Sequence, residues 1–294
     1  MIVNPAAGAG AWRKIEPLVR DHFDCVGIWL TNGPGHAASL AEELAGADIE
    51  RLIVGGGDGT FHEAANGLLE SGAAARVVLG LLPLGTGSDL ARSLGIPNRR
   101  TAIERVQHGR VRTIDAAHIE FQDHGGMARR RWFINVASAG LGGEVAARVR
   151  RCGRRVPGAP LYLAHAVRVL GSMPPARLSV AVDGAEAFDG PAIHVAAANG
   201  RFQGGGIQIA PQAALDDGAL DVTIIQPVGM ADLALNLRRL YNGQLLSHPK
   251  VLHFRGQAVK LACPEYALVE VDGEPLGSLP AEVKAVPGAL RVLA

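Results

Sequence analysis

Aromatic residues and cysteines are scarce in this sequence. Only 4% of the residues are aromatic, and the three cysteines, Cys25, Cys152 and Cys263, lie far apart with no C-x-x-C pair. The odd number and the spacing of the cysteines speak against a disulfide framework and against a zinc site, and they favour a reducing compartment. The 29 basic and 28 acidic residues nearly balance, so the chain as a whole carries no charge that would attract nucleic acid.

Long apolar runs and a signal peptide are also missing. No apolar run approaches the ~18 residues that a membrane span needs, and the first residues, MIVNPAAGAG, already predict a strand and a turn. We therefore expect a cytoplasmic protein that is at most peripherally attached to a membrane. The composition does not fix the oligomeric state, and a homodimer is left open.

Several well-known catalytic motifs are absent from the sequence. There is no G-x-x-x-x-G-K-[ST] loop and no G-x-G-x-x-G, so neither a Walker site nor a Rossmann dinucleotide fingerprint is present. G-x-S-x-G and H-E-x-x-H are missing too. Any nucleotide site must therefore use a different arrangement of glycines.

One such arrangement is the stretch RLIVGGGDGTFHEAANGLL, residues 51–69. Its apolar start predicts a buried strand, its glycines a tight turn, and its end a helix. Thr60 and Glu63 have the spacing of a capping box, so we predict that the helix begins at Thr60. Glycines at 57 and 59 would let a phosphate approach the main chain. A carboxylate at Asp58 would repel that phosphate, which indicates a divalent cation between them.

A second glycine turn follows the next predicted strand, in the segment PLGTGSDLARSLGIP at residues 83–97. Asp89 and Arg92 lie one helical turn apart in it, and a surface ion pair would explain them without any function. However, both turns follow predicted strands of a parallel sheet, and ligands of open α/β sheets bind at the carboxyl ends of the strands. We therefore favour a ligand site formed by both turns.

The pattern of predicted elements changes near residue 112. Strands and helices alternate before it, which predicts an α/β domain with a parallel sheet at residues 1–112. Strands then dominate and predict an antiparallel β-sandwich at residues 113–280, while residues 281–294 form a C-terminal segment that could return to the first domain. The predicted strands there are 111–121, 132–138, 178–183, 193–199, 220–226, 259–263 and 268–272. Of two predicted helices, 143–151 and 230–241, the second has an apolar face that we expect to cover a sheet edge rather than bind a partner.

A basic stretch runs from Arg129 to Arg155. It contains eight arginines against a single acid, Glu144. A solvated loop and a contact with anionic phospholipid head groups explain it equally well. Nucleic acid is disfavoured, because aromatic side chains do not interleave these arginines.

Two acidic turns lie late in the chain, LDDG at residues 215–218 and VDGE at residues 271–274. Each Asp-Gly step is typical of a tight turn, and that would account for the acids without any chemistry. The second turn also carries Asp272 and Glu274, two carboxylates that could provide a general base.

Five segments together, NPAAG, GGDGTFHEAANGL, PLGTGSDLARSLGIP, ALDDGAL and VDGE, resemble the diacylglycerol kinase catalytic-domain family, with the bacterial lipid kinases as the nearest shape. The resemblance spans essentially the whole chain. It implies an N-terminal α/β nucleotide domain, a C-terminal β-sandwich and an active site in the cleft between them.

The resemblance also implies roles for matching residues. ATP would lie against Asn4, Pro5, Ala6, Ala7, Gly8, Thr31, Gly57, Asp58, Gly59, Thr60, Phe61, His62, Glu63, Thr86 and Arg92. A network around catalytic Mg²⁺ would include Asp58, Asp89 and Asp115. A structural Mg²⁺ would be held by Asp217 and by the carbonyls of Ala214 and Ala219, and Glu274 would be the base with Asp272 beside it.

Two departures from the family pattern are visible. Ser88 stands where the family usually has Asn, and the chain begins a few residues short of the family's usual first strand. The first departure affects a hydrogen bond of the turn and leaves Asp89 in place.

The sequence thus predicts an ATP-dependent lipid kinase that phosphorylates a lipid hydroxyl, most simply that of diacylglycerol, at a membrane surface. A sphingoid-base kinase has nearly the same motifs. An NAD kinase shares GGDGT but is disfavoured by the NPAAG and DLARSLGIP segments. A nucleotide-binding regulator without catalysis is disfavoured by the presence of both Asp272 and Glu274.

Overall fold

The computed structural model describes residues 1–23, 27–47, 49–85, 87–152, 158–265 and 267–294. The chain divides into two compact units, the first made of Met1–Asp115 and Gly288–Ala294 and the second of Ala116–Pro287. The sequence had predicted boundaries at 112/113 and 280/281. Both observed boundaries fall inside long strands, Val111–Asp123 and Glu274–Leu293, and the second boundary coincides with the Pro287-Gly288 step.

The first unit is an α/β fold with a parallel sheet, as predicted. Its strands and helices alternate in the order β1 Ile2–Val3, α1 Trp12–His22, β2 Trp29–Leu30, α2 His36–Gly46, β3 Arg51–Gly56, α3 Asp58–Glu70, β4 Val78–Pro83, α4 Asp89–Ser93 and α5 Arg99–His108. Next along the chain is β5, Val111–Asp123, whose first residues belong to this unit. The sequence also predicts a strand at residues 26–30, and the start of that strand lies outside the described residues.

The strands β1 to β4 of this unit form a parallel sheet. β1 lies between β2 and β3, and β3 pairs with β4. Arg291 and Val292, close to the C-terminus, extend the sheet by pairing in parallel with Val78 and Leu79 of β4. β3 and β4 are almost wholly buried, which is typical of parallel strands covered on both faces.

The second unit is rich in antiparallel strands, in agreement with the predicted sandwich. After the rest of β5 come β6 Ala128–Phe133, β7 Val136–Gly140, α6 Leu141–Cys152, α7 Gly158–Leu170, β8 Ala176–Val182, β9 Ala185–Ala192, β10 His194–Ala198, β11 Leu220–Ile225, α8 Met230–Asn236, β12 Val251–Gly256, β13 Ala258–Ala262, β14 Leu268–Val271 and β15 Glu274–Leu293. β12, β11, β10, β7 and β14 are consecutive neighbours, and β14 pairs with the first part of β15.

Alternation along the strands gives this sheet two different faces. Val195 and Ala197 of β10 join a large apolar core with Val222, Ile224 and Val269 of neighbouring strands. The other face of the same strands carries His194, Ala196, Ser138 and Glu270 and is overlaid by helices and loops. A period of two residues therefore separates the sandwich core from a partly polar face.

Several predicted element bounds were wrong. Residues 132–138 form the end of β6 and the start of β7 instead of one strand, because main-chain N–H groups at 134–136 bond a carboxylate rather than a neighbouring strand. The predicted helix at 230–241 ends at Asn236 and continues as a 3₁₀ helix, Leu237–Leu240. The sequence analysis missed α7, β9, β12 and β15.

The predicted capping box of α3 was wrong as well. The helix begins at Asp58 with Gly57 as its N-cap, and no side chain caps it. The Thr60 hydroxyl instead accepts a hydrogen bond from Nδ2 of Asn4 at 3.1 Å. Oε2 of Glu63 accepts a hydrogen bond at 3.2 Å from the N–H of Ala37, in the first turn of α2. Tertiary partners outweighed the local pattern in both cases.

No helix among the described residues is long and apolar enough to cross a bilayer.

The close packing of α2 on α3 depends on Gly67. A Cβ on Gly67 would lie 2.3 Å from the main-chain oxygen of Ala38 and 3.0 Å from Cβ of Ala41. Gly46, at the end of α2, would meet no atom within 4 Å. The two glycines share a helical environment and differ in the space beside them.

We therefore expect Gly67→Ala to lower the free energy of unfolding by about 1–3 kcal/mol, although alanine is the better helix former. Gly46→Ala should be neutral or stabilising by up to about 1 kcal/mol. Urea denaturation of both variants and the wild type measures this. Equal effects at the two positions would contradict the packing argument.

Candidate functional site

Three turns of the first unit approach one another at main-chain distance. A Cβ on Gly8 would lie 2.0 Å from the carbonyl oxygen of Leu84, and a Cβ on Gly85 would lie 2.6 Å from Cα of Gly57. The N–H of Leu84 donates to Gly56 O at 2.7 Å. Such distances exclude a side chain at these glycines. The NPAAG, GGDGT and PLGTG turns therefore form a single cluster at the carboxyl ends of β1, β3 and β4.

Asn4 links two of these turns. Its N–H donates to Gly55 O at 2.8 Å, and its side chain contacts the Thr60 hydroxyl. Oδ1 of Asn4 accepts from the N–H of Ala6 at 3.0 Å and orders the residues around Pro5 and Ala7. Asn4 therefore acts here by holding the turns together.

The start of α3 is the open part of this cluster. The first intrahelical bonds run from Thr60 and Phe61 to Gly57 O, and a Cβ on Gly59 would meet no atom within 4 Å. A helix N-terminus with an open main chain favours an anion. The side chains of Phe61 and His62 are buried, so only their main chain could contact a ligand.

Asp58 and Asp89 come close together in the structure. Oδ1 of Asp58 accepts from the N–H of Leu90 at 3.3 Å, and a Cβ on Gly87 would lie 2.6 Å from Oδ2 of Asp58. Asp89 is buried and forms an ion pair with Nη1 of Arg92 at 2.8 Å. The ion pair considered from the sequence is thus present, next to the Asp58 carboxylate.

For Asp115 and Thr31, which were also predicted as site residues of this unit, the structure gives hydrogen bonds to other parts of the main chain. Oδ1 of Asp115 accepts from the N–H of Gly288 at 2.8 Å, and the N–H of Thr31 donates to Val3 O at 2.8 Å. Thr86 lies outside the described residues. Ser88 has φ +56°, a left-handed conformation in which Asn is more common than Ser, and this is the position where the family usually has Asn.

In the second unit, the carboxylate of Asp272 accepts hydrogen bonds from three consecutive main-chain N–H groups. The donors are Ile134 at 3.1 Å, Asn135 at 3.1 Å and Val136 at 2.9 Å. Asp272 itself has φ +48°. Its carboxylate therefore orders the VDGE turn and the start of β7.

Glu274 lies beside two arginines. Its carboxylate is 3.1 Å from Nη2 of Arg131 and 4.0 Å from Nη1 of Arg150. Both arginines belong to the basic stretch found in the sequence. Two others of that stretch are also engaged, Arg129 with Asp123 at 2.9 Å and Arg130 over the ring of Trp132. Arg154 and Arg155 lie outside the described residues.

In the LDDG turn, the Asp217 carboxylate bonds a main-chain N–H group and an arginine. Oδ1 of Asp217 accepts from the N–H of Ala219 at 3.1 Å, and Oδ2 forms an ion pair with Arg255. Within the described ranges, no three His, Cys, Asp or Glu side chains gather closely enough to hold a metal. A Mg²⁺ at this turn would have to displace Arg255 and use main-chain oxygens such as that of Ala214.

A buried polar cluster, formed by Ser138, His194, Gln203 and Glu270, lies next to the VDGE turn and was missed from the sequence. Oγ of Ser138 donates to Oε1 of Glu270 at 2.6 Å, and Nε2 of Gln203 donates to Oγ of Ser138 at 2.9 Å and to Glu270. The N–H of Gly273 donates to Oε2 of Glu270 at 2.7 Å. The charged Glu270 in the otherwise apolar strand LVEV was the available signal.

Glycines of α6 make room for this cluster. A Cβ on Gly142 would lie 2.2 Å from Oγ of Ser138, and one on Gly143 would lie 2.3 Å from the carbonyl oxygen of Leu268. The N–H of Gly142 donates to Nδ1 of His194 at 3.2 Å. The pair Gly142-Gly143 therefore lets α6 begin directly on the polar face of the sheet.

An apolar cavity of the second unit opens beside the polar cluster. Its space amounts to about 900 Å³, part of which is open solvent at its mouth. His194 and Gln203 are among its polar lining residues. Most of the apolar lining comes from α6, α7, the loop after β10, and the segment after β11: Leu141, Tyr162, Leu163, Ala166, Leu170, Ile193, Ile207, Ile209, Ile225, Val228, Leu233, Leu240, Leu245 and Val251.

Burial moves two pKa values of the polar cluster in opposite senses. It raises the pKa of Glu270 to about 7, against the lowering effect of the Ser138 and Gly273 hydrogen bonds. It lowers the pKa of His194 to about 4, against a hydrogen bond with Gln203. His194 is therefore neutral near neutral pH, whereas Glu270 titrates there.

We expect the pH dependence of stability to change in Glu270→Gln. The folded-state pKa of Glu270 lies above its unfolded-state value of 4.5, so its contribution is present below about pH 4.5 and is lost as pH rises through about 7. The wild type should therefore lose roughly 3 kcal/mol relative to the variant between about pH 5 and about pH 8. The substitution also removes one hydrogen-bond acceptor, but the resulting loss of stability is the same at both pH values and cancels when they are compared.

Urea denaturation at both pH values measures this change, with the exposed Glu186→Gln as the control. His194 is retained in every protein, so its opposite contribution also cancels. Parallel pH profiles for the wild type and Glu270→Gln would show that Glu270 is ionised throughout this range.

The fold and these sites match known protein families. Residues 1–119 match the diacylglycerol kinase catalytic domain, and residues 135–294 match the YegS C-terminal NAD kinase beta sandwich-like domain. A protein of Klebsiella pneumoniae (strain 342), named as a probable lipid kinase, YegS-like, is 30% identical over 95% of this chain and 89% of its own length. A diacylglycerol kinase of Bacillus subtilis (strain 168) is 28% identical over 96% of this chain and 91% of its own length.

Solved structures show the same fold. A crystal structure of a diacylglycerol kinase from Bacillus anthracis (strain Sterne) has a TM-score of 0.73 at 24% identity and covers 99% of this chain and 94% of that one. Yeast NADH kinase complexed with NADH is more distant, with a TM-score of 0.51 at 13% identity over 100% of this chain and 73% of that one. The chain therefore belongs to the diacylglycerol kinase catalytic-domain family, with a YegS-type C-terminal domain, and is a lipid kinase, a phosphotransferase that acts on an alcohol group.

Proposed function

We propose that the protein transfers the γ-phosphoryl group of ATP to the free hydroxyl of diacylglycerol. The observation that carries this proposal is the apolar cavity of the second unit. Aliphatic side chains make up most of its lining, so it suits acyl chains better than an adenine or nicotinamide ring. The similarity to yeast NADH kinase concerns the fold alone and gives no support for NAD as the acceptor.

The glycine cluster of the first unit would hold the phosphates of ATP. Main-chain N–H groups at the start of α3, around Gly57 and Gly59, supply fixed dipoles that need no reorganisation during the reaction. Mg²⁺ is commonly bound by one or two carboxylates together with substrate phosphates, and Asp58 fits that role. When bound, Mg²⁺ would neutralise charge on the phosphates.

Glu274 would be the general base. It takes the proton from the acceptor hydroxyl as that oxygen bonds to the γ-phosphorus, and the bond from the γ-phosphorus to the bridging oxygen breaks, with ADP as the leaving group. Asp272 is less suited, because its two oxygens already accept three main-chain hydrogen bonds. Arg131 fixes the orientation of Glu274 through the 3.1 Å contact.

The protein would collect its substrate as a peripheral protein of the cytoplasmic membrane face, and this is part of the proposal. Arg148 and Arg151, on α6, are the arginines of the basic stretch that would meet anionic head groups. Each basic residue near such a surface contributes about 1 kcal/mol to binding. A homodimer is not needed for any of the steps above.

A substrate panel tests the acceptor. Purified protein with labelled ATP should phosphorylate diacylglycerol in mixed micelles far better than monoacylglycerol, sphingosine or NAD. Sphingosine as the preferred acceptor would replace the proposal with a sphingoid-base kinase, and NAD as the preferred acceptor would assign an NAD kinase. Nucleotide binding without turnover on any acceptor would favour a regulator.

Filling the cavity tests where the acyl chains bind. Ala166 of α7 lines the cavity, whereas Ala164 of the same helix is exposed. Ala166→Trp should lower kcat/KM for long-chain diacylglycerol by about tenfold or more, because the added ring occupies the space of several methylenes. Ala164→Trp is the matched control. Equal kinetics of the two variants would contradict acyl binding in this cavity.

We expect Asp58→Asn to keep the fold and lose Mg²⁺-dependent ATP binding. Asn retains Oδ1 as an acceptor for the Leu90 N–H but lacks the charge that binds a cation. The rise in melting temperature caused by ATP with Mg²⁺ should disappear, while the melting temperature without nucleotide stays close to that of the wild type. The exposed Asp21→Asn is the control, and an unchanged ATP response in Asp58→Asn would remove Asp58 from the site.

A further inference from the structure

The segment after β11 has an inner face of mixed polarity and an outer face that is mostly apolar. Residues 230–241, named here the cavity roof, comprise α8, the 3₁₀ helix Leu237–Leu240 and Tyr241. One face lines the apolar cavity through Asp232, Leu233, Asn236, Arg239 and Leu240. A helix covering a sheet edge, the role expected from the sequence, would need only that face to be apolar.

The other face of the cavity roof is exposed and mostly apolar. Of the seven large hydrophobic side chains exposed in the described part of the chain, three belong to these twelve residues: Met230, Leu235 and Tyr241. Leu235 is 84% exposed and Met230 is 46% exposed. Ala231, Ala234 and Arg238 are exposed as well and continue the same stripe at helical spacing. An apolar stripe in water indicates a surface that is covered during function.

The charges of the cavity roof are distributed unevenly between its faces. Asp232 points to the inner side, where its carboxylate accepts from Nδ2 of Asn236 at 2.8 Å and contacts Nε2 of His248 at 3.1 Å. The outer stripe carries Arg238 and no acid. Nη1 of Arg239 donates to Oγ of Ser247 at 2.7 Å, so this second cation is at the edge of the segment. An apolar stripe bordered by arginine and tyrosine complements an anionic bilayer interface.

Resting on the function proposed above, we propose that the outer stripe of the cavity roof inserts into the head-group region of an anionic phospholipid bilayer. Docking through this segment would place the cavity wall, which is the opposite face of the same helix, directly behind the membrane contact. A lipid could then exchange between bilayer and cavity beside Leu233 and Leu240 without crossing bulk water. A second copy of the chain is the less suitable occupant, since three large side chains fall short of the roughly 800 Å² per partner of a stable dimer.

Vesicle co-sedimentation of the full chain without ATP tests the docking. Vesicles of phosphatidylcholine with phosphatidylglycerol should bind the wild type, and binding should weaken with added salt and in vesicles of phosphatidylcholine alone. The double variant Met230→Gln/Leu235→Asn should bind with about tenfold or more lower affinity. The matched control is Met127→Gln, which removes a hydrophobic side chain that is 63% exposed elsewhere in the same unit.

Activity on diacylglycerol in mixed micelles separates this proposal from the proposed function. The double variant should keep its micellar activity, because neither substituted side chain is among those that line the cavity. If the double variant is active and binds vesicles as tightly as the wild type does, the docking proposal is overturned and the kinase function stays intact. If the wild type binds vesicles but phosphorylates no lipid in micelles, the proposed kinase function is overturned and the docking proposal stays intact.

A single-site probe covers the case in which the double variant folds poorly. Leu235→Trp should bind anionic vesicles and show a blue shift of the added tryptophan emission on binding, whereas Met127→Trp should not. An unshifted emission from bound Leu235→Trp would overturn the proposal. Sedimentation in the absence of lipid completes the test, because a wild-type dimer that Met230→Gln/Leu235→Asn converts to monomer would assign the stripe to a second copy of the chain.

Discussion

The arrangement of the second unit depends on the carboxylate of Asp272. It accepts hydrogen bonds from three consecutive main-chain N–H groups at the junction of β6 and β7. In return, the N–H of Asp272 donates to Val136 O at 2.9 Å. A short break between strands leaves such N–H groups without ladder partners, and a carboxylate is a strong acceptor for them. The turn that carries Glu274 is thereby attached to the strand that carries Ser138.

The same sheet face combines a buried carboxylate with an apolar cavity, two features that normally exclude one another. Burying Glu270 is tolerated because it accepts hydrogen bonds from Ser138, Gln203 and Gly273. Its raised pKa shows that these bonds do not fully offset the lost hydration. The cluster connects β7, β14, the loop at Gln203 and the VDGE turn, so it stiffens the region between the cavity and the proposed base.

The contacts also change how the basic stretch is understood. Its arginines looked like one uniform patch in the sequence, but Arg131 and Arg150 face Glu274 while Arg129 and Arg130 have partners on neighbouring side chains. Exposed apolar side chains instead concentrate in the cavity roof. In the proposed membrane contact, electrostatic attraction and apolar insertion would come from different elements of the second unit, and stable membrane attachment generally requires two such signals.

The sequence by itself determined the fold class, the family and the glycine turns. Glycine turns after buried strands are local patterns that the sequence shows directly. The structure adds that Gly56 and Gly85 have no room for a side chain, whereas Gly59 lies in open space. Only the tertiary structure decided which side chains each turn contacts. It reassigned Thr60 and Glu63 from a capping box to partners in other elements, and it separated Asp272 from Glu274 by their hydrogen bonds. The cavity and its exposed roof could not be predicted, because apolar side chains from distant segments share no spacing. Within residues 230–241, large apolar side chains occur on both the inner and the outer face, so the sequence does not show which of them is covered.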